Sequence, residues 1–457
     1  MVVLITWLAF AGYILGRFAN DAFPTYYLWR PLIAVVPLAV VIGLLGSWRF
    51  PTQAPLAASA AVGVITFWGT LTRHWMEALL AGGAVLMVLL VVRWRAWRLP
   101  SVPRAASTAA TAFVVVFFLS GVARAVLSAE GPVAPVVATQ AATGPNLYIV
   151  LLDGYPRRDT LLNDMGIDNG PFEDGLSARG FDVYDDASTD RRYTDLTLMT
   201  LLTGTTEGVP VDTDFGQNFQ WQLRRMLSEA ALPREAQEAG YEFYAIDSPA
   251  GHVTFSAGNH IQHGGINTLE EYMLGESLLG PAVALLWPSL PTDTLRAHFE
   301  ASVESLTSLA DPDAHRLVLA HLFQPHLPFL WDAEGNPLPA PSFWPRVNLY
   351  AAQIETMGMS LPDYAASMQG DLETLNPKLL AMVDEIVARD PGAVIVLFSD
   401  HGARYSLDLK QTEWYRSFLA ARTPGHPDLF ASDPKPTAIM RTLLPAYVTD
   451  GAVPVAP

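Results

Sequence analysis

At 457 residues, 51% of them hydrophobic, the chain has room for more than one domain, and its lack of cysteine excludes disulfides and thiolate metal sites. Charge is split: up to Ser128, nine Lys/Arg meet two Asp/Glu, while the remainder carries 19 basic and 43 acidic residues. The net charge of −17 comes from that remainder and excludes nucleic acid as the main partner, because phosphate backbones are bound by basic surfaces.

Five apolar stretches open the chain, at about Val2–Leu15, Pro31–Gly46, Pro55–Leu71, Ala78–Val92 and Ala105–Ala123. A spanning helix needs roughly 20 residues, so the first and fourth must recruit flanking residues. Trp29, Trp48, Trp75, Trp94 and Trp97, with Tyr26 and Tyr27, stand at stretch ends, where interfacial aromatic anchors belong. The pattern predicts an α-helical membrane module of about five spans over residues 1–128. A signal peptide is not expected, since no basic region precedes the first stretch and no cleavage site follows it. The loop from Arg93 to Arg104 carries four Arg and no acid, which assigns it to the cytoplasm. Counting spans outward from there puts the N-terminus inside and everything after Ser128 outside. Residues 129–145, rich in Ala, Pro, Val and Gly, read as a tether. The expectation is a multi-pass plasma-membrane protein with an extracytoplasmic domain over 146–448 and a tail over 449–457.

In that domain strands and helices alternate. Asn146–Leu152 is an apolar strand ending abruptly in Asp153-Gly154. A helix over Pro171–Arg179 and a short strand over Phe181–Tyr184 follow. Thr194 opens a helical run that stops at Gly204. Next come a helical region over Gln220–Ala239 and strands over Tyr241–Ile246 and Arg316–Phe323. A long helix over Leu361–Asp390, kinked at Pro377, feeds the strand Ala393–Ser399, and a late helix covers Thr437–Leu444. Alternation of this kind predicts an α/β domain, its sheet mostly parallel and covered by helices on both faces.

The chemistry-bearing residues stand at the ends of these elements. Asp153 and the pair Asp400-His401 end two strands, at the rim where open α/β sheets bind ligands. Thr194 sits at a helix start, among unpaired amides and the positive end of the helix dipole. Singly, each has a plainer reading as a turn, an N-cap or a surface pair. Together, two acids, an imidazole and a hydroxyl form an oxygen-rich set with one nitrogen, suited to a divalent metal. Manganese is favoured, with magnesium or zinc possible. His326, between Pro325 and Pro328 just past a strand end, faces the same rim. His321, inside that strand, reads as a satisfied core histidine. Arg191, Arg192 and Arg404 flank the set and could pair with a phosphate, though surface charge is the plainer role for each.

Five blocks, LLDGYPRRDTL, GIDNGPFEDGLSARGFDVYDDAS, YTDLTLMTLLTG, HLFQPHLPFLWDAEGNP and FSDHG, cover roughly Asn146–Val448. In order and spacing they resemble the alkaline phosphatase and sulfatase superfamily. The likeness extends to its membrane-anchored branch, which includes lipoteichoic acid synthase and the phosphoglycerol and phosphoethanolamine transferases. The resemblance implies an alkaline-phosphatase-like fold, metal ligation by Asp153, Thr194, Asp400 and His401, and a substrate-binding role for His326. Two-metal phosphodiesterases of the superfamily carry Asp-x-x-x-His in their middle section. Here Asp247 and His252 are one residue further apart, so a single metal is expected. Sulfatases convert a Cys or Ser to formylglycine, whereas the aligned residue here is Thr194, which cannot form that aldehyde. Attack by the Thr194 hydroxyl on phosphorus, through a phosphothreonine, is the expected chemistry. Lipoteichoic acid synthase has Glu where this chain has Asp153, which weakens any expectation of polyglycerolphosphate synthesis. The implied partners are a membrane lipid donor and an envelope acceptor or water, with no obligate protein partner evident.

Overall fold

The computed structural model describes residues 1–21, 23, 25–50, 53–66, 101–128, 135–210, 226–227, 229–246, 248–249, 258–339, 358–403 and 411–448. The chain divides into a helical unit, 1–129 with 267–288 and 343–348, and an α/β unit comprising the rest.

The helical unit begins with α1 (Val2–Asp21), α2 (Trp29–Arg49), α3 (Ala54–Thr66) and α4 (Ser101–Ser128). Among the described residues, three helices are long and apolar enough to cross a membrane, at Val2–Ala19, Thr25–Arg49 and Ala105–Leu127. α3 has 13 residues. The end of its expected stretch, all of Ala78–Val92, most of the Arg93–Arg104 loop and Trp75, Trp94 and Trp97 lie outside the described residues. The helices pack through Phe10, Ile14, Phe18, Val35, Ala39, Val62 and Val114. α1 and α4 approach so closely at Gly12 that a Cβ there would stand 2.7 Å from the Phe117 ring. Small residues at such crossings let two helices approach closely enough for extensive dispersion contact.

The α/β unit contains β1 (Leu147–Leu152), α5 (Arg158–Met165), α6 (Gly170–Ser177), β2 (Asp182–Val183), α7 (Thr194–Thr203), α8 (Ala231–Glu238), β3 (Glu242–Ile246) and β4 (Asn259–Ile261). After β4 the chain passes through α9 (Thr268–Glu276) and α10 (Leu279–Leu286) of the helical unit. It then continues as α11 (Leu290–Ser308), β5 (Arg316–Leu322), α12 (Leu361–Arg389), β6 (Val394–Phe398), β7 (Leu419–Arg422) and α13 (Pro436–Leu443). The strands form one sheet in the order β2-β7-β6-β1-β5-β3-β4.

The sheet is mixed. Pairs from β6 through β4 are parallel, while β7 runs antiparallel to both β6 and β2. β7 escaped the sequence reading because Leu-Ala-Ala-Arg is short and carries no alternation. Helices α9, α10 and α11 add to the elements expected from the sequence. The Gln220–Ala239 helix is described only from 226, with α8 as its regular part, and α12 runs from Leu361 to Arg389 with Pro377 inside it. Every residue of β1 is fully buried, as a parallel strand covered on both faces must be. Leu147, Ile149 and Leu151 face a core shared with α7, α8 and α13. At the far end of the strand, Asn146 Nδ2 donates to Asp390 Oδ2 and the Asp311 carbonyl (2.7 Å each), and its Oδ1 accepts from Arg316 N. That staple aligns β1, β5 and β6. The described part of the tether is not free, since Thr139 N donates to the Glu238 carbonyl at 2.8 Å.

Candidate metal and nucleophile site

Register decides what meets at the rim. Leu152 pairs with Leu322 of β5, and Leu151 with Phe398 of β6, so three neighbouring strands end together. Asp153, the loop holding His326, and Asp400-His401 therefore emerge side by side from residues up to 248 positions apart in the chain.

His401 Nδ1 donates to its neighbour's Gly402 carbonyl at 2.8 Å, so Nε2 of the neutral ring carries the lone pair. That lone pair faces Asp153 Oδ1 at 3.3 Å and Asp400 Oδ2 at 3.5 Å. Both oxygens are buried, and among the described residues neither accepts a hydrogen bond. The other Asp400 oxygen accepts from Gly154 N at 3.0 Å. His326 Nδ1 likewise donates to the Leu327 carbonyl at 2.7 Å, which leaves its Nε2 as a ligand atom. Ligand atoms of Asp153, His326 and His401 lie within 4.8 Å of one another. Electron-rich atoms converging in a buried place need a positive centre among them. The residues thus fit a divalent cation, and both histidines show the Nδ1–H···O=C bond typical of metal-bound imidazoles. The loop brings a second imidazole, His326, beside this set, in reach both of a cation held there and of a substrate bound to it.

Asp153 has a second support. Its Oδ2 lies 3.0 Å from His321 Nε2, and His321 Nδ1 is 2.6 Å from Ser248 Oγ. Burial pushes the Asp153 carboxyl up, but the imidazoles of His326, His321 and His401 around it, when they carry a proton in place of a bound cation, outweigh burial and hold the carboxyl well below its ordinary range. His321 is satisfied, as expected of a core histidine, but its partner is the site carboxylate. A histidine inside an otherwise apolar strand was the available signal, since burying one unpaired is costly.

Thr194 opens α7 after an extended Tyr193 (φ −122°, ψ 136°). One turn on, Thr197 Oγ1 donates to the Asp400 carbonyl at 2.9 Å, which ties the first turn of the helix to the end of β6. Thr200 and Thr203 spend their hydroxyls on the carbonyls of Thr197 and Met199. Among the described residues, Thr194 makes no side-chain hydrogen bond and is 9% exposed. The threonines are therefore not one equivalent stripe. Arg191 directs its guanidinium to the carbonyls of Asp190, Thr206, Val209 and Pro210, and Arg192 stacks over Trp414. Both are engaged in holding local structure. Arg404, Asp247 and His252 lie outside the described residues.

Gly154 has φ +67°, and a Cβ there would stand 3.0 Å from His401 Cε1. Gly154→Ala should cost about 1–2 kcal/mol through the left-handed backbone alone. It should also push on His401, so metal affinity falls in addition, which thermal melts with and without added cation will separate.

The His326 loop is clamped from two helices. Asp371 Oδ1 of α12 accepts from Leu330 N (2.8 Å) and Trp331 N (3.0 Å), and Arg296 of α11 donates to the Leu330 and Leu338 carbonyls. Burial pushes the Asp371 carboxyl up to about 7, the two amides offsetting it only in part. An unfolded aspartate ionises near 3.8. Between those values unfolding releases a proton, so the Asp371 contribution is present at acid pH and lost as pH rises towards 7. Its span is on the order of 4 kcal/mol. Asp371→Asn keeps the accepting oxygen and should remove this slope, as read by urea midpoints of both proteins from acid to neutral pH.

No family model matches the chain, and no curated protein matches it. Similar solved structures include the C-terminal periplasmic domain of EcEptC from Escherichia coli in complex with Zn, 16% identical with TM-score 0.40, covering 71% of this chain and 88% of that one. The soluble domain of lipooligosaccharide phosphoethanolamine transferase A from Neisseria meningitidis is 13% identical with TM-score 0.39, covering 67% and 89%. The phosphonate monoester hydrolase of Agrobacterium radiobacter is 16% identical with TM-score 0.40, covering 66% and 73%. Likeness at this level leaves the activity to be argued from the residues of this chain.

Proposed function

We propose that the chain is a membrane-anchored, metal-dependent phosphotransferase or phosphodiesterase of the alkaline phosphatase and sulfatase superfamily, acting on phosphate esters of envelope lipids or polymers through a phosphothreonine at Thr194. The observation that carries this reading is the Thr194 hydroxyl, bonded to no described residue, at a helix start that Thr197 ties to the Asp400 carbonyl. Asp153, Asp400 and His401, with the Thr194 hydroxyl, would hold the divalent cation, and His326 beside them could add a further ligand. When bound, it neutralises charge on the phosphoryl oxygens and acidifies an adjacent hydroxyl. Two imidazoles and two carboxylates suit zinc at least as well as the manganese that a single imidazole favoured.

Thr194 Oγ forms a bond to phosphorus while the bond to the leaving alcohol breaks, and the hydroxyl proton ends on that alcohol. Amides of the first turn of α7 stabilise the phosphoryl oxygens. A second alcohol, or water, then displaces Thr194 from phosphorus. An alcohol acceptor makes the chain a transferase and water makes it a hydrolase. The donor is proposed to be a membrane lipid, because the same chain carries helices able to span a bilayer, and the catalytic unit is proposed to be extracytoplasmic. Mass spectrometry of Thr194 after incubation with membrane lipids tests the reading. An adduct on that residue is expected, and its mass names the transferred group. Turnover with Thr194 never modified overturns the covalent route.

A further inference from the structure

The segment between β4 and α11 belongs to the helical unit, although it lies in sequence within the α/β unit. α9 is firmly joined there. Asn267 and Glu270 form a capping box, and Glu270 pairs with Arg30 of α2, with Nε to Oε1 at 2.9 Å. Leu269 is buried in the core that contains Phe18, Phe23 and Tyr27, and Arg17 lies over the Tyr272 ring at 4.7 Å. Leu278 N donates to the carbonyl of Ile65, at the end of α3, at 2.9 Å. α10 is different in kind. From Ser277 to Ser289 the chain has no charged residue. Leu278 and Leu279 are exposed, as are Leu285 at 82%, Leu286 at 83% and Trp287 at 56%, while Gly280 is the buried position. Residues seven apart share a helix face, so the two leucine pairs make one apolar stripe turned outward. A helix meant for water presents the reverse pattern.

We propose that α10 with Trp287 is a membrane-interface element, its leucine stripe lying in the boundary between headgroups and acyl chains of the bilayer that holds the helical unit. This rests on reading that unit as membrane-embedded. At eight residues the helix is about 12 Å long, too short to cross a hydrocarbon layer of about 30 Å. Lipid is the occupant because the same unit also exposes apolar side chains on the helices read as spans, Ile33, Leu44 and Leu45 of α2 and Val64 of α3, and Leu278 at the start of α10 is bonded to Ile65, the neighbour of Val64. Trp287, at the end of the helix, is the residue type that anchors at this depth. Without basic residues, binding depends on apolar burial and not on anionic headgroups. The chain leaves the α/β unit after Ile266 and returns at Ser289, so this element gives that unit an attachment to the bilayer additional to residues 129–145.

Because the chain has no cysteine, Leu286→Cys provides a single thiol for a nitroxide in the full-length protein. The label is read in phospholipid nanodiscs, zwitterionic and anionic in parallel, by collision with oxygen and with a water-soluble nickel chelate. Leu44→Cys on α2 and Glu304→Cys on α11 serve as references. Oxygen collision should exceed nickel collision severalfold at 286, as at 44 and opposite to 304, in both lipids. Nickel access at 286 equal to that at 304, with 44 still oxygen-exposed, overturns the inference alone. Nickel access at 44 as well overturns the membrane reading and the inference with it. Shielding of 286 from both reagents with spin–spin broadening assigns the stripe to a second copy of the chain and overturns the inference.

Discussion

Thr194→Ala is expected to reduce turnover of a chromogenic phosphodiester by about a thousandfold or more, while the protein keeps its fold and its bound metal. The expectation follows from the uneven use of four threonines. Thr197, Thr200 and Thr203 each give their hydroxyl to a carbonyl, so their loss costs a hydrogen bond. Thr194 gives its hydroxyl to no described residue, so its loss costs little stability and removes only chemistry. Thr194→Ser should retain appreciable turnover, because the hydroxyl survives. Thr200→Ala should destabilise by about 1 kcal/mol with activity nearly intact. Thr197→Ala should do more, since its bond to the Asp400 carbonyl seats the helix start. Stopped assays and urea midpoints on the four variants check the ranking. Full turnover in Thr194→Ala would end the covalent mechanism.

Metal removal should be equally severe. His401→Ala or Asp400→Ala is expected to abolish stoichiometric binding of a divalent cation and turnover together, with secondary structure retained. In wild type, a cation at 100 times its dissociation constant should stabilise the fold by about 2.7 kcal/mol. Most of that gain should vanish in either variant, because the oxygens 3.3 and 3.5 Å from His401 Nε2 no longer share a cation with it. His321→Ala removes no expected ligand. It frees the Asp153 carboxylate to rotate, so affinity should fall about 10–100-fold without disappearing, as removal of an outer-shell partner does. Metal analysis, thermal shifts on adding zinc or manganese, and calorimetric titration read these outcomes. A purified wild-type chain with no stoichiometric divalent cation would sink the metal reading before any variant is made.

The strand endings were legible in the sequence because their causes are local. A parallel strand buried on both faces reads as an unbroken apolar run, and an abrupt Asp-Gly or Asp-His after it is visible without knowing any neighbour. Thr194 announced itself in the same way, as a hydroxyl before a helical run closed by Gly204, which does take φ +69°. The long apolar helices at the front of the chain were legible for the same reason. Pairing decided the rest. That β5 and β6 flank β1, in a register that ends all three together, depends on contacts between residues some 170 and 250 positions apart. No window of sequence reports such contacts. Strand order made His321 the partner of Asp153, and it gathered His326 with His401, two imidazoles that the sequence had given separate tasks. The antiparallel β7 is specified by its neighbours' unpaired edge more than by its own four residues. The leucines of α10 could equally have filled a core; only the packing of α9 against Arg30 and Phe18 left them facing outward, since burial is a property of what surrounds a side chain and not of the side chain itself.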